Sequence, residues 1–161
     1  MKKIMRGRWR IFITIAAVLF ASGCSNYSEE DTKFALIKKI NEGPAVFSEN
    51  EQKDLEKIKK VRKEVLSLEP VYDVAIVKGD KETVIAYKVK HMHRFRMKQI
   101  EKELKKRLEE KFPKEKFVVS SDYKIFLEVI ELINDKKDTK FSDEKANQKL
   151  QKIIKMQKEL T

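Results

Sequence analysis

Val71–Lys90, VYDVAIVKGDKETVIAYKVK, carries two runs rich in Val, Ile and Tyr on either side of Lys78-Gly79-Asp80-Lys81-Glu82. Branched and aromatic residues favour strands, and a short polar segment containing Gly turns the chain, so the stretch predicts a β-hairpin. Side chains alternate along a strand. Tyr72, Val74 and Ile76 are therefore expected on one face of the first strand, with Ile85, Tyr87 and Val89 on the same face of the second. A sheet with such a face requires helices to cover it.

Helical patterns flank the hairpin on both sides. Ser48-Glu49-Asn50-Glu51 has the spacing of a capping box. Leu55, Ile58, Val61, Val65 and Leu68 then recur at three and four residues until Glu69-Pro70 ends the helix. After the hairpin, Met97, Ile100, Leu104, Leu108 and Phe112 trace a second helix closed by Pro113. Glu101 with Lys105, and Glu103 with Arg107, stand at the i, i+4 spacing that suits intrahelical ion pairs. Lys116–Ser120 predicts a third strand. Ser121-Asp122 supplies the cap of a helix that buries Phe126, Val129, Ile130 and Ile133. A charged break from Asn134 to Lys140 precedes Ser142, which caps a last helix with Ala146, Leu150, Ile153, Ile154 and Gln157 on one face. The fold expected is α/β (α+β), with a three-stranded sheet covered by helices, and the last helix either packs on it or binds a partner.

The amino terminus points to export. Lys2, Lys3, Arg6, Arg8 and Arg10 precede the apolar run Ile11–Ala21, IFITIAAVLFA, and no acidic residue occurs before Cys24. That is the form of a secretory signal peptide, shorter than a membrane span requires. Ala21-Ser22-Gly23-Cys24 resembles the lipobox of bacterial lipoproteins, where small residues admit the backbone to the peptidase. In that family the cysteine thiol receives diacylglycerol and, after cleavage, its amine an acyl chain. The departure is Ala21, a position where Leu is commoner. Cys24 is the only cysteine, which excludes an intrachain disulfide. The polar SNYSEEDTK, residues 25 to 33, reads as a tether. Phe34, Leu36, Ile37 and Ile40 form a short apolar cluster ended by Gly43-Pro44. The expected division is a signal peptide over 1–23, lipidated Cys24 and tether over 24–47, an α/β domain over 48–134 and a helical extension over 135–161.

The formal charge is +11, from 37 Lys and Arg against 26 Asp and Glu, so nucleic acid is the first partner to weigh. Five of those cations belong to the leader. Removing it leaves 32 against 26, a net of +6, with Lys and Glu interspersed as on solvated helix faces. With export expected, nucleic acid is not. His91 and His93 would point the same way on an extended chain and could ligate a metal. They are the only histidines, so carboxylates from elsewhere would have to complete a site, and no metal is expected. Asp73, Asp80, Asp122, His91 and His93 are the acid, base or ligand candidates. The chain has no phosphate-binding Gly-rich loop, no nucleophile elbow and no specific metal motif, so it reads as non-enzymatic and free of cofactors other than the lipid on Cys24.

Lipobox, tether and the order helix, strand, strand, helix, strand together resemble the YhcN/YlaJ family of sporulation lipoproteins of endospore-forming bacteria. The resemblance covers about residues 51 to 130. It rests on Val71, Asp73 and Val74 at the start of the first strand, Gly79 in the turn, and Ala86, Tyr87 and Val89 in the second strand. Phe117, Val119, Ser120, Ser121 and Asp122 complete it. The basic HMHRFR of residues 91–96 departs from the family's looser polar loop. Membership implies a protein attached to the outer face of the cell or spore membrane, with a role in sporulation, germination or outgrowth and no catalytic residues to carry over. The same order of elements resembles the BON domain and ring-building modules of secretion assemblies. That implies binding to an envelope or spore protein or a wall polymer, or self-association into a ring or stack.

Overall fold

In a computed structural model of the chain, residues 43–138 and 140–160 are described. The signal-peptide reading, Cys24, the polar stretch 25–33 and Phe34–Ile40 lie outside them, and of the segment 24–47 read as tether only residues 43–47 are described. The described residues belong to one compact unit, Lys39–Thr161, and among them are four strands, four α-helices and one 3-10 helix. In chain order these are β1 (Ala45–Val46), α1 (Glu51–Leu66), β2 (Val71–Lys78), β3 (Thr83–Val89), a 3-10 helix (His91–Arg96), α2 (Met97–Lys111), β4 (Phe117–Ser120), α3 (Tyr123–Asp135) and α4 (Asp143–Leu160).

The sheet has four strands in the order β1-β2-β3-β4, one more than the three expected. β2 and β3 form the antiparallel hairpin, β4 lies parallel to β3, and β1 lies parallel to β2. The additional strand is only two residues long, too short to show alternation, and it falls in the segment read as tether. It is fixed by more than its own ladder. Phe47 N–H donates to the Lys78 carbonyl at 2.8 Å, and the Lys136 ammonium donates to the Val46 carbonyl.

Helices cover both faces. On one, Val46, Val74, Ile76, Ile85, Tyr87, Phe117 and Val119 pack with Ile58, Val61 and Val65 of α1 and Ile100, Leu104 and Leu108 of α2. The other receives α3, with α4 packed against α3. This second cover explains why Val74–Val77 and Val84–Tyr87 are continuous apolar runs, since strands buried on both sides have no polar face.

One side chain of the hairpin lies opposite to its expected direction. The register slips between Val71 and Asp73, so Val71 pairs with Val89 and Asp73 pairs with Lys88. A bulge of this kind places an extra residue out of the alternation. Val71 consequently joins the core, and Tyr72 turns out to solvent.

The helix ends are also revised. Asn50 rather than Ser48 begins α1, without a side-chain capping bond, and the Ser48 hydroxyl donates to the Asp54 carboxylate at 2.7 Å. Asp122 does cap α3, accepting from the amides of Lys124 and Ile125 at 2.8 and 3.1 Å. On α2 three of the four residues of the expected i, i+4 pairs have other partners. Arg107 pairs with Glu64 of α1, Glu103 accepts from Gln99, and Glu101 accepts from Ser121.

Candidate functional site

The two ends of the β2–β3 hairpin differ in chemistry. At the turn end, Gly79 N–H closes onto the Glu82 carbonyl at 3.0 Å, and Asp80 N–H donates to Asn147 of α4 at 3.2 Å. Glu49, Asp80, Glu82, Asp143 and Glu144 line an open cleft of about 780 Å³ there, together with Lys81 and Lys116. This end is acidic.

The opposite end is basic and aromatic. β3 leaves the sheet at Val89, Lys90 N–H donates to the Pro70 carbonyl at 2.8 Å, and the chain enters the 3-10 helix HMHRFR. No residue of that helix is buried. Phe95 is 99% exposed and Met92 85%. Between Glu82 and Glu101 the sequence holds no acidic residue, while Lys88, Lys90, Arg94, Arg96 and Lys98 are cationic. Tyr72 and Tyr123 are partly exposed at this same end of the sheet.

Beneath them sits a largely shielded charge. Lys88 points to the α3 face, with its ammonium 4.1 Å from the Phe126 ring centroid, 5.5 Å from that of Tyr123 and 3.8 Å from Asp73 Oδ2. Burial lowers the ammonium from its ordinary value, opposed by the Asp73 carboxylate. Asp73 Oδ1 accepts from the Val74 amide at 2.9 Å. At 3.8 Å the contact with Lys88 is an ion pair rather than a hydrogen bond.

Two further charge clusters tie elements together. Glu115 receives Lys57 at 2.5 Å and Lys78 at 3.2 Å, and Lys57 also reaches Asp54 at 3.2 Å. Burial raises the Asp54 carboxyl, but the Ser48 hydrogen bond and the Lys57 ammonium bring it below its ordinary value. Glu64 of α1 joins Arg107 and Lys111 of α2.

The candidates read from the sequence are therefore dispersed. Asp73 is bound to Lys88, Asp80 stands in the turn at the far end, and Asp122 caps α3. His91 and His93 lie in a 3-10 helix instead of the extended chain expected. With three residues per turn, positions two apart do not face the same way. Among the described residues no group of three or more His, Cys, Asp and Glu side chains gathers as metal ligands. Cys24 and the Ala21, Ser22 and Gly23 before it lie outside the described residues. The exposed Met92 and Phe95 were visible in the sequence only as interruptions of a basic segment, because an apolar residue there reads equally well as a buried helix start. Compared with family models, with curated proteins and with solved structures, the chain matches none.

Proposed function

We propose that this is a lipid-anchored envelope protein of an endospore-forming bacterium that works by binding or scaffolding, without catalysis, in sporulation, germination or outgrowth. Ala21-Ser22-Gly23-Cys24 behind a basic and apolar leader carries the reading, because acylation at Cys24 would keep the rest of the chain at the outer membrane surface. The α1-β2-β3-α2-β4 order fits a BON-like binding unit, to which β1, α3 and α4 are additions. Support for a non-catalytic role comes from the positions of the candidate acids. Asp73 and Asp122 are engaged in an ion pair and a helix cap, and Asp80 stands at the other end of β2 from Asp73.

The test is metabolic labelling with a fatty-acid analogue in an endospore-forming host. The wild-type chain is expected to take up label and partition with membranes, and Cys24→Ala to lose both. A wild-type chain that carries no label rules out the anchor.

A further inference from the structure

We infer that the 3-10 helix His91–Arg96 is a second membrane contact, a ridge that seats in the headgroup region of an anionic bilayer. In a 3-10 helix positions i and i+3 eclipse one another. Met92 and Phe95 therefore form one apolar ridge, with His91 and Arg94 along one flank and His93 and Arg96 along the other. Lys90 and Lys98 extend the basic border at both ends. An apolar tip bordered by the cations Lys90, Arg94, Arg96 and Lys98 matches a surface whose interior is hydrocarbon and whose headgroups are negative.

The fold itself gains little from this arrangement. Phe95 and Met92 bury almost no surface in the domain. Arg94, Arg96 and Lys98 crowd the amino terminus of α2, where the helix dipole disfavours positive charge and where the first turn holds no acid. Arg96 makes one long bond, to Gln99 at 3.4 Å. A water-soluble partner with an acidic groove would complement the cations but would leave a fully exposed Phe without a stated place. A bilayer accommodates both.

This deepens the membrane reading and sets an orientation. The ridge faces the lipid, and the acidic cleft lies at the other end of β3, roughly 20 Å away for a strand of seven residues. Repulsion of the cleft from anionic headgroups favours the same orientation.

Trp9 is the only tryptophan and lies in the leader that cleavage before Cys24 would remove, so Phe95→Trp places a single indole on the ridge of the mature lipidated chain, with Trp9→Phe added to silence any uncleaved protein. The chain is mixed with phosphatidylglycerol-rich vesicles carrying brominated acyl chains. The expected result is a blue shift and quenching at position 95 that pure phosphatidylcholine does not produce. A matched chain with its indole at Lys81→Trp, on the acidic end, should remain unquenched. Adding Arg94→Glu and Arg96→Glu should reduce the quenching more than about tenfold at equal lipid. Those two changes suit the dipole of α2, so an unaltered thermal melt separates lost contact from lost fold. An indole at 95 that is unquenched while the chain remains vesicle-bound overturns the proposal, as does equal quenching at 81 and 95. A response to added wall polymer but not to vesicles overturns it as well. The two membrane readings fail separately: loss of label at Cys24 with quenching intact removes only the anchor, and a labelled chain with a silent indole removes only the ridge.

Discussion

Asp73 and Lys88 face each other across β2 and β3 as register partners, with both side chains shielded from solvent and the Lys88 ammonium over the Phe126 ring. The bulge at Tyr72 makes this pairing, since an unbroken alternation would have set a different residue opposite Lys88. Truncating one member strands the other charge in the interior, which costs roughly 3–5 kcal/mol, whereas a matched apolar pair is close to neutral. Asp73→Ala is expected to destabilise severely. Asp73→Ala combined with Lys88→Met should regain most of the loss in urea denaturation. If the double variant is as unstable as the single one, the pair is not coupled and the bulge has another cause.

Glu64 links α1 to α2 through Arg107 and Lys111 and gives the domain an acid-sensitive joint. The Lys111 hydrogen bond at 2.7 Å holds the carboxyl below its ordinary value of 4.5; burial opposes it and the Arg107 charge adds to it. A carboxyl lowered by folding contributes stability above its unfolded value, and the contribution disappears as pH falls through the folded value. Wild type should exceed Glu64→Gln in stability by a constant margin above about pH 6, narrowing below 4.5. Denaturation at a series of pH values reads this directly. A margin that widens in acid contradicts the assignment.

Gly79 is where α4 meets the hairpin turn. A Cβ on it would stand 2.5 Å from Leu150 Cδ2 and 2.6 Å from Asn147 Oδ1. Leu150 is itself buried and cannot swing away freely, and Asn147 is engaged with Asp80 N–H and the Phe47 carbonyl. Overpacking of this kind costs roughly 1–3 kcal/mol. Gly79→Ala should therefore lower stability by that order and speed amide exchange in α4 more than in α2. Uniform exchange across both helices would mean that α4 is not seated on the turn.

The helices and the hairpin were legible because each follows from a local period. Ile58, Val61 and Val65 in α1, and Ile100, Leu104 and Leu108 in α2, are buried at the spacings read from the sequence. Leu104→Asp sets a carboxylate in that core and should abolish the cooperative melt. What the sequence hid was non-local. β1 has two residues and depends on Lys78 and Lys136 for its place, and the bulge depends on how β2 meets β3. Arg107 chose a partner on another helix over Glu103, four residues away on its own, because docking α2 beside α1 brought Glu64 within reach. The ridge was hidden for a related reason: periodicity predicts which apolar residues are buried, and Phe95 is apolar and is not.

Glu115 lies between α2 and β4 and carries two lysines of unequal weight. Lys78 is nearly as buried as Glu115, each side chain 8% exposed, whereas Lys57 is 33% exposed. Solvent screens the outer pair, so although Lys57 Nζ is closer, at 2.5 Å against 3.2 Å, it contributes less. Lys57→Met should cost no more than about 1 kcal/mol. Glu115→Ala leaves the buried Lys78 ammonium with only the charge of Asp54 to offset it and should cost about 3 kcal/mol, the low end for a broken buried pair. Combining Glu115→Ala with Lys78→Met tests the cause, because removing the stranded charge should restore much of the stability even though a cavity remains. If the combination is no better than Glu115→Ala alone, the loss comes from packing around the Phe112–Phe117 contact, whose rings meet edge to face at 6.2 Å, and not from charge.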